Sequence, residues 1–230
     1  MGTVGAMTGK DPLAQQAAAD IRSGMVVGLG TGRAATRAIE ALAERVRREK
    51  LDVVCVATSR ASDALGKERG LRMAPMETVD RVDYLFDGAD EVDPELRMLK
   101  GRGGAMTREK IVAHASAHRV YLVQAAKMVD RLGASAWLPI EVMRFGLAPI
   151  RRHLLELGLQ GHLREVEGRE YETDNGNPVI DAAIPADARI DAMSEALDAV
   201  AGVVGHGLFL READVVLIED QDGKVTRRER

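Results

Sequence analysis

The chain has 230 residues, of which 46% are hydrophobic and 30% charged, a composition typical of a water-soluble globular protein with an ample core. Its net charge of −4 and its 3% of aromatic residues offer neither a basic field nor base-stacking platforms, so we expect no nucleic-acid partner. The single cysteine, Cys55, excludes an internal disulfide framework, and no apolar run is long enough to span a membrane. Since the start also lacks the pattern of a signal peptide, we expect a cytoplasmic protein with no membrane partner.

The first part of the sequence alternates short apolar runs with helix-forming stretches. Strands are predicted at 25–30, 52–59, 71–76, 82–86 and 120–125, and helices at 13–23, 33–50, 61–69 and 106–118. Alternation of this kind indicates a parallel sheet with right-handed crossovers. We therefore predict an α/β fold in which a Rossmann-like, mostly parallel sheet carries helices on both faces.

The rhythm changes near Leu132. The predicted order is then strand 138–142, helix 149–157, strands 163–171 and 178–184, helix 190–200 and strand 203–210. This β-α-β-β-α-β order is typical of a small ferredoxin-like α+β domain. A last strand, 214–218, can rejoin the first sheet, and the polar end, 226–230, is predicted to be frayed. We therefore predict a Rossmann-like domain of residues 1–133 with 211–230 and a small domain of residues 134–210.

A glycine-rich turn separates the first predicted strand from its helix. Gly28, Gly30 and Gly32 stand at alternate positions, and glycines there let the backbone approach an anion at the helix start. Arg33 replaces the third glycine of the dinucleotide fingerprint, and the Walker pattern is absent. The turn is either a phosphate-binding loop, to which Thr31 and Arg33 add donors, or a plain tight turn; we favour the loop.

Charged residues are concentrated after the predicted strand 82–86. The stretch 87–93 contains four carboxylates, a glycine run beginning beside Lys100 follows, and Glu109 stands near a predicted helix start. Ligands of open α/β sheets bind outside the carboxyl ends of strands. A carboxylate there can remove a proton next to a carbonyl, and a lysine can stabilise the resulting enediolate. The alternatives are a solvated turn and a two-carboxylate magnesium site, although we predict no metal.

Several short motifs follow one another in a distinctive order. They are Gly28-Leu29-Gly30-Thr31-Gly32, Asp87-Gly88-Ala89-Asp90-Glu91, Leu99-Lys100-Gly101-x-Gly103-Gly104-Ala105 and Arg108-Glu109-Lys110-Ile111, with further landmarks at 127–133, 139–142, 173–177 and 207–209. This set extends over almost the whole chain and resembles ribose-5-phosphate isomerase type A. The resemblance implies an aldose–ketose isomerase that interconverts ribose 5-phosphate and ribulose 5-phosphate in the pentose phosphate pathway. It also implies that no cofactor is needed and that the protein is a homodimer or a dimer of dimers.

The resemblance assigns roles to individual residues. It implies that Glu109 moves a proton between C2 and C1, while Asp87, Asp90 and Lys100 assist ring opening and polarise the sugar oxygens. The expected substrate-binding residues are Lys10, Thr31, Gly32, Arg33, Ala34, Gly88, Ala89, Gly101, Arg102, Gly103 and Lys127.

Two segments depart from the family pattern. Arg33-Ala34 stands where the family has Ser-Thr, and Arg102 stands where it has glycine. The arginines either replace lost hydroxyl contacts to the phosphate, or mark another phosphorylated sugar as the substrate, or point to solvent. We favour unchanged chemistry, because all four residues with implied catalytic roles are present.

Two other classes of function compete with the isomerase. An NADP-dependent oxidoreductase would use the glycine turn and Ser59-Arg60, since an arginine can hold a 2′-phosphate. A non-enzymatic sugar-phosphate sensor would bind the same ligand without turnover.

Overall fold

The computed structural model describes residues 11–230, so Lys10, predicted to bind the substrate, lies outside the described residues. The helices are α1 Pro12–Ala19, α2 Arg33–Glu49, α3 Arg60–Glu68, α4 Met106–Ala115, α5 Leu147–Glu156 and α6 Ile190–Asp198. The strands are β1 Val26–Leu29, β2 Val54–Ala57, β3 Tyr84–Gly88, β4 Glu91–Val92, β5 Met98–Leu99, β6 Arg119–Gln124, β7 Leu138–Val142, β8 Gly161–Leu163, β9 Glu165–Val166, β10 Arg169–Glu170, β11 Val179–Ala182, β12 Val203–His206, β13 Leu208–Phe209, β14 Val215–Glu219 and β15 Val225–Glu229.

The largest sheet has six strands in the order β15-β14-β6-β3-β1-β2. All its neighbouring strands are parallel except β14 and β15. Alternate side chains along β6 enter two separate cores: Leu122 packs with α1 and α2 on one face, and Tyr121 packs with α4 on the other. The predicted Rossmann-like sheet with helices on both faces is confirmed. Because the chain order reverses between β1 and β3, the carboxyl ends of these two strands form the switch point at which such sheets bind ligands.

A second, antiparallel sheet of four strands has the order β12-β7-β11-β8. Helices α5 and α6 pack on it through side chains such as Ile150, Leu154 and Leu197. In chain order the four strands of this sheet are β7, β8, β11 and β12, and the first and third of them, β7 and β11, are central. A ferredoxin-like fold has the same arrangement, so that prediction is confirmed. We call residues 138–206 the small unit.

A three-stranded sheet, β13-β5-β4, joins the small unit to the large sheet. β13 follows β12 after Gly207 and pairs with β5, whose end leads directly to Lys100. The N–H of Lys100 donates to the carbonyl of Gly207 at 2.9 Å. The predicted single strand 203–210 is therefore wrong, because Gly207 lets the chain leave one sheet for another.

Three further element predictions are wrong. Residues 71–76 form a single bridge, Cys55 to Met73, and a 3-10 turn at Met76–Thr78, because Pro75 lacks the N–H that a longer strand would need. The predicted strand 163–171 is divided into β8 and the β9–β10 hairpin, whose turn has positive φ at Glu167 and Gly168. The supposedly frayed end forms β15, whose polar side chains face outward from an edge strand.

Among residues 11–230, the structure contains no helix with both the length and the apolar character needed to cross a bilayer.

Candidate active site

Asp87 lies at the end of β3 and is fully buried. Its Oδ1 accepts hydrogen bonds from the N–H groups of Thr31, at 3.0 Å, and Gly88, at 2.7 Å. Gly30 makes this approach of β1 to β3 feasible, because a Cβ atom there would lie 2.2 Å from Asp87 Oδ1 and 2.5 Å from its Cα. The glycine turn therefore orients the acid as well as lining the site.

Lys100 connects Asp87 to Glu109. Its Nζ lies 3.0 Å from Asp87 Oδ2 and 3.4 Å from Glu109 Oε1, and it also donates to the carbonyl of Gly88. The three charged residues are only 0%, 2% and 5% exposed, in the order Asp87, Lys100, Glu109. Lys100 supplies the positive charge that a metal ion would supply among the acids. Within residues 11–230, no group of three or more His, Cys, Asp or Glu side chains has a metal-binding arrangement.

Burial sets the proton affinity of this cluster. It raises the pKa of Glu109 well above the ordinary carboxyl value; the positive charge of Lys100 opposes the rise, while Asp87 and Asp90 add to it. Burial also acts to lower the pKa of Lys100, but the charges of Asp87 and Glu109 outweigh it and the pKa is raised. Glu109 is thus suited to exchange a proton, and Lys100 to remain an ammonium.

Two aromatic rings form cation–π contacts with the Lys100 ammonium. Nζ lies 5.4 Å from the ring centroid of Tyr121 and 5.5 Å from that of Phe209, within the range of cation–π attraction. Sequence reasoning missed both contacts. Phe209 belongs to the 207–209 motif, which was identified from the sequence. Tyr121 lies opposite Asp87 in the pairing of β6 with β3, and that pairing cannot be known before the strand order is known.

In the part of the chain that the structure describes, two buried oxygens of the site, Glu109 Oε2 and the Tyr121 hydroxyl, have no hydrogen-bond partner, and Asp87 Oδ2 has only the Lys100 ammonium at 3.0 Å. The free Oε2 lone pairs leave Glu109 able to accept a proton from a bound molecule.

These groups adjoin a cavity of about 490 Å³ at the switch point of the large sheet. The lining residues are Thr31, Gly32, Arg33, Ala34, Gly88, Ala89, Asp90, Lys100, Gly101, Arg102, Gly103, Glu109 and Lys127. The structure therefore brings together all the predicted site residues that it describes: Asp87 contacts the lining residue Lys100, and every other one lines the cavity itself.

One side of the cavity is basic. Arg33, Arg102 and Lys127 all line it, beside the first N–H groups of α2. Burial lowers the pKa of Lys127, and although the charge of Asp90 opposes this, Lys100, Arg33 and Arg102 lower it further. Cations therefore converge on one region of the cavity, as an anion-binding site requires. Both arginines line the cavity and both are exposed to solvent.

Several polar residues of the cavity form hydrogen bonds within the protein. Asp90 Oδ2 accepts from the N–H of Arg102 at 2.9 Å, which orients the glycine run. The hydroxyl of Thr31 bonds with those of Thr58, at 2.7 Å, and Ser59, at 2.8 Å. Lys127 donates to the carbonyl of Ala89.

A second cavity, of about 590 Å³, lies between α3 and α4 and is lined by Ser59 and Arg60 but by none of the residues predicted for the isomerase site. At its edge the N–H of Arg60, at the start of α3, donates to Asp174 Oδ2 at 2.7 Å. This contact uses only the backbone of Arg60, and the side chain on which the NADP alternative depends has no carboxylate partner among the described residues.

A mostly parallel α/β sheet whose switch point carries a buried carboxylate–lysine cluster and a basic cavity defines an α/β enzyme with an acid–base site. The family model of ribose 5-phosphate isomerase A (phosphoriboisomerase A) matches residues 54–223. The chain belongs to this family, and the resemblance found in its motifs is confirmed.

Individual relatives agree along nearly the full chain. Ribose-5-phosphate isomerase A from Rhodopseudomonas palustris (strain HaA2) is 41% identical over 225 residues, covering 93% of this chain and 96% of the relative. A solved D-ribose-5-phosphate isomerase in complex with phospho-erythronic acid is 36% identical, with a TM-score of 0.90 and coverage of 95% and 96% of the two chains. The solved ribose 5-phosphate isomerase A from Methanocaldococcus jannaschii is 33% identical, with a TM-score of 0.88 and the same coverage.

Proposed function

We propose that the protein interconverts D-ribose 5-phosphate and D-ribulose 5-phosphate, as an isomerase of the pentose phosphate pathway that needs no cofactor. The observation that carries the proposal is that Glu109 and the basic side, with Arg33, adjoin the same cavity. At about 490 Å³, that cavity is within the usual size range of small-molecule sites. A single phosphorylated sugar can therefore meet both groups at once.

The proposed reaction is a proton transfer through an enediolate. With the open-chain aldose bound, the Glu109 carboxylate removes the proton from C2, and that electron pair forms the C1–C2 double bond. The negative charge moves to the former carbonyl oxygen, where the Lys100 ammonium stabilises it. Return of the proton from Glu109 to C1, with transfer of the O2 hydroxyl proton to O1, yields the ketose. Asp87 and Asp90 assist ring opening.

The other end of the substrate binds on the basic side. We propose that the phosphate lies at the start of α2, against Thr31, Gly32, Arg33 and Ala34, with Lys127 beside it. Arg33 and Arg102 can each donate paired hydrogen bonds to phosphate oxygens, which supports their role as substitutes for the small residues of the family pattern. The proposed contacts of Gly88, Ala89, Gly101 and Gly103 are with the sugar, through the backbone.

The relative solved with phospho-erythronic acid supports the same class of ligand. A phosphorylated, hydroxylated acid presents one anion to a basic side and another to a lysine. Both features are present in the cavity described above.

The direct test is an assay of purified protein with ribose 5-phosphate, with and without a metal chelator. We expect ribulose 5-phosphate to form at the same rate in both. Absence of turnover, with binding retained, would instead favour the sugar-phosphate sensor. Faster conversion of another phosphorylated aldose would favour a changed substrate.

Replacement of the base tests the proton transfer. We expect Glu109→Gln to abolish detectable turnover, because an amide cannot take the C2 proton, while the affinity for phospho-erythronic acid stays within about threefold. Turnover near the wild-type level in this variant would exclude Glu109 as the base.

The domain division and the assembly are also proposals. We infer two domains, residues 1–133 with 211–230 and residues 134–210, supported by the two sheets and their largely separate cores. We further infer a cytoplasmic homodimer or dimer of dimers. Exposed apolar side chains of the second range, Phe145 above all, support association.

A further inference from the structure

Glu141 on β7 is a second fully buried carboxylate, separate from the acid cluster that lines the cavity. It accepts hydrogen bonds from hydroxyls and amides: Thr107 Oγ1, Thr173 Oγ1 at 2.8 Å, Asn175 Nδ2 at 3.1 Å and Asn177 Nδ2 at 2.9 Å. All four of these donors are neutral. Burial of a carboxylate is costly unless its lone pairs are satisfied, and these four donors satisfy them.

The donors to Glu141 come from two different parts of the fold. Thr107 is in the first turn of α4, whereas the other three belong to the 173–177 turn of the small unit. Glu141 therefore ties the start of α4 to that turn. A close approach of β12 supports the same region, since a Cβ atom on Gly205 would lie 2.4 Å from Thr107 Oγ1.

Arg108 forms a second link between α4 and the 173–177 turn. Its Nε donates to Asn175 Oδ1 at 2.7 Å, and its Nη2 donates to the Asp174 carbonyl at 3.0 Å. Asn175 thus accepts from Arg108 through one end of its amide and donates to Glu141 through the other. Thr107 and Arg108, both held by this network, are the two residues that directly precede Glu109.

We propose that Glu141, acting through Thr107 and the 173–177 turn, is the positioning residue that holds Glu109 in its reactive orientation. This inference rests on the proposed role of Glu109 as the base. Glu141 does not line the cavity, and its proposed effect is on the geometry of the α4 first turn. A displacement of about 1 Å in a reacting group can lower a rate by about 100-fold, so a rigid support of this kind has a catalytic effect.

The test compares Glu141→Gln, Thr107→Val and Thr107→Ser with the wild-type enzyme on ribose 5-phosphate. Gln keeps the shape of Glu141 but turns one acceptor into a donor, and Val keeps the shape of threonine without its hydroxyl. For Glu141→Gln and Thr107→Val we expect kcat to fall about 10-fold or more, with KM changed by less than about threefold. Thr107→Ser retains the hydroxyl, so we expect its kcat to stay within about threefold of the wild-type value.

A matched control lies at the other end of the same helix. Ser116, which follows the last residue of α4, donates through Oγ to the Val112 carbonyl and is not part of the network around Glu141. We expect Ser116→Ala to leave kcat and KM unchanged, even where it lowers the melting temperature. Circular dichroism and melting curves on all four variants give the folded fraction by which kcat is corrected.

The outcomes separate the positioning role from the proposed function. Values of kcat within twofold of wild type in Glu141→Gln and Thr107→Val would overturn the positioning role alone. So would equal losses in Thr107→Ser and Thr107→Val, which would indicate a packing role. A wild-type protein without isomerase activity, or an active Glu109→Gln variant, would overturn the proposed function and with it this inference.

Discussion

Glu109 experiences two opposing effects that the sequence could not rank. It is an acid in the first turn of α4, where the helix dipole favours the carboxylate. It is also only 5% exposed, and burial favours the neutral acid. Burial is the largest cause of the raised pKa of Glu109, and it outweighs the positive charge of Lys100, 3.4 Å away.

The raised pKa of Glu109 predicts the pH dependence of activity. The base must be ionised, so kcat/KM should fall as the pH falls through a value well above the ordinary carboxyl value of 4.5. A substrate phosphate also titrates at about pH 6 and can affect kcat/KM through binding. The same fall at low pH should therefore be measured in kcat at saturating substrate. Profiles that stay flat down to the ordinary carboxyl range would contradict the assignment.

Arg33 is expected to act on substrate affinity. Loss of a charge-assisted contact of about 1.5–3 kcal/mol predicts that Arg33→Ala raises the KM for ribose 5-phosphate by about 10-fold or more, with a much smaller fall in kcat. Steady-state kinetics measures both constants. Arg47→Ala, an exposed position on the same helix, is the matched control. An unchanged KM in Arg33→Ala would show that Arg33 does not hold the phosphate.

At the scale of elements, the crossing of the β1 turn over β3 depends on one glycine. A methyl group on Gly30 would overlap the backbone of Asp87, at 2.5 Å from Cα. We expect Gly30→Ala to lower the free energy of unfolding by about 1–3 kcal/mol, and therefore the melting temperature by several degrees, as well as to reduce activity.

Gly88→Ala is the matched control for this stability measurement. A Cβ atom there would meet Ala34 Cβ at 3.5 Å, which is ordinary van der Waals contact. Equal melting temperatures for Gly30→Ala and the wild type would mean that the two strands separate at little cost.

Elements with periodic or alternating hydrophobicity were predictable, and those lacking it were not. The amphipathic α2 was predicted to within one residue of its observed end, and β14 was predicted to rejoin the large sheet. The edge strand β15 was missed because all but one of its residues are polar. Its pairing with β14 supplies the backbone hydrogen bonds, whatever its side chains are.

At the scale of the whole molecule, we predict an oligomer. Phe145 is 98% exposed and Trp137 52% exposed, so large apolar side chains are available for contact with a second copy of the chain. Sedimentation velocity should give two or four times the chain mass of 24.9 kDa. A dilution series is the control for weak association, and a single-chain mass at every concentration would contradict the proposal.

The candidate site was accessible from the sequence because its parts are local motifs. Each of the glycine turn, the Asp87–Asp90 acids and the Lys100–Glu109 segment occupies a few consecutive residues, and the parallel-sheet rule places strand ends at one edge. Family membership then follows from the order of these motifs. None of this requires a distance.

Only the tertiary structure decided how the parts act on one another. Three features depend on residues that are far apart in the chain. They are the aromatic contacts of Lys100, the burial that raises the pKa of Glu109, and the hydrogen bond between Glu141 and Thr107 of α4. Their energies depend on distance and exclusion of water, and these are set by the packing of whole sheets and helices. Periodicity and turn chemistry, by contrast, are properties of neighbouring residues, which is why the sequence alone determined the fold class and the motifs.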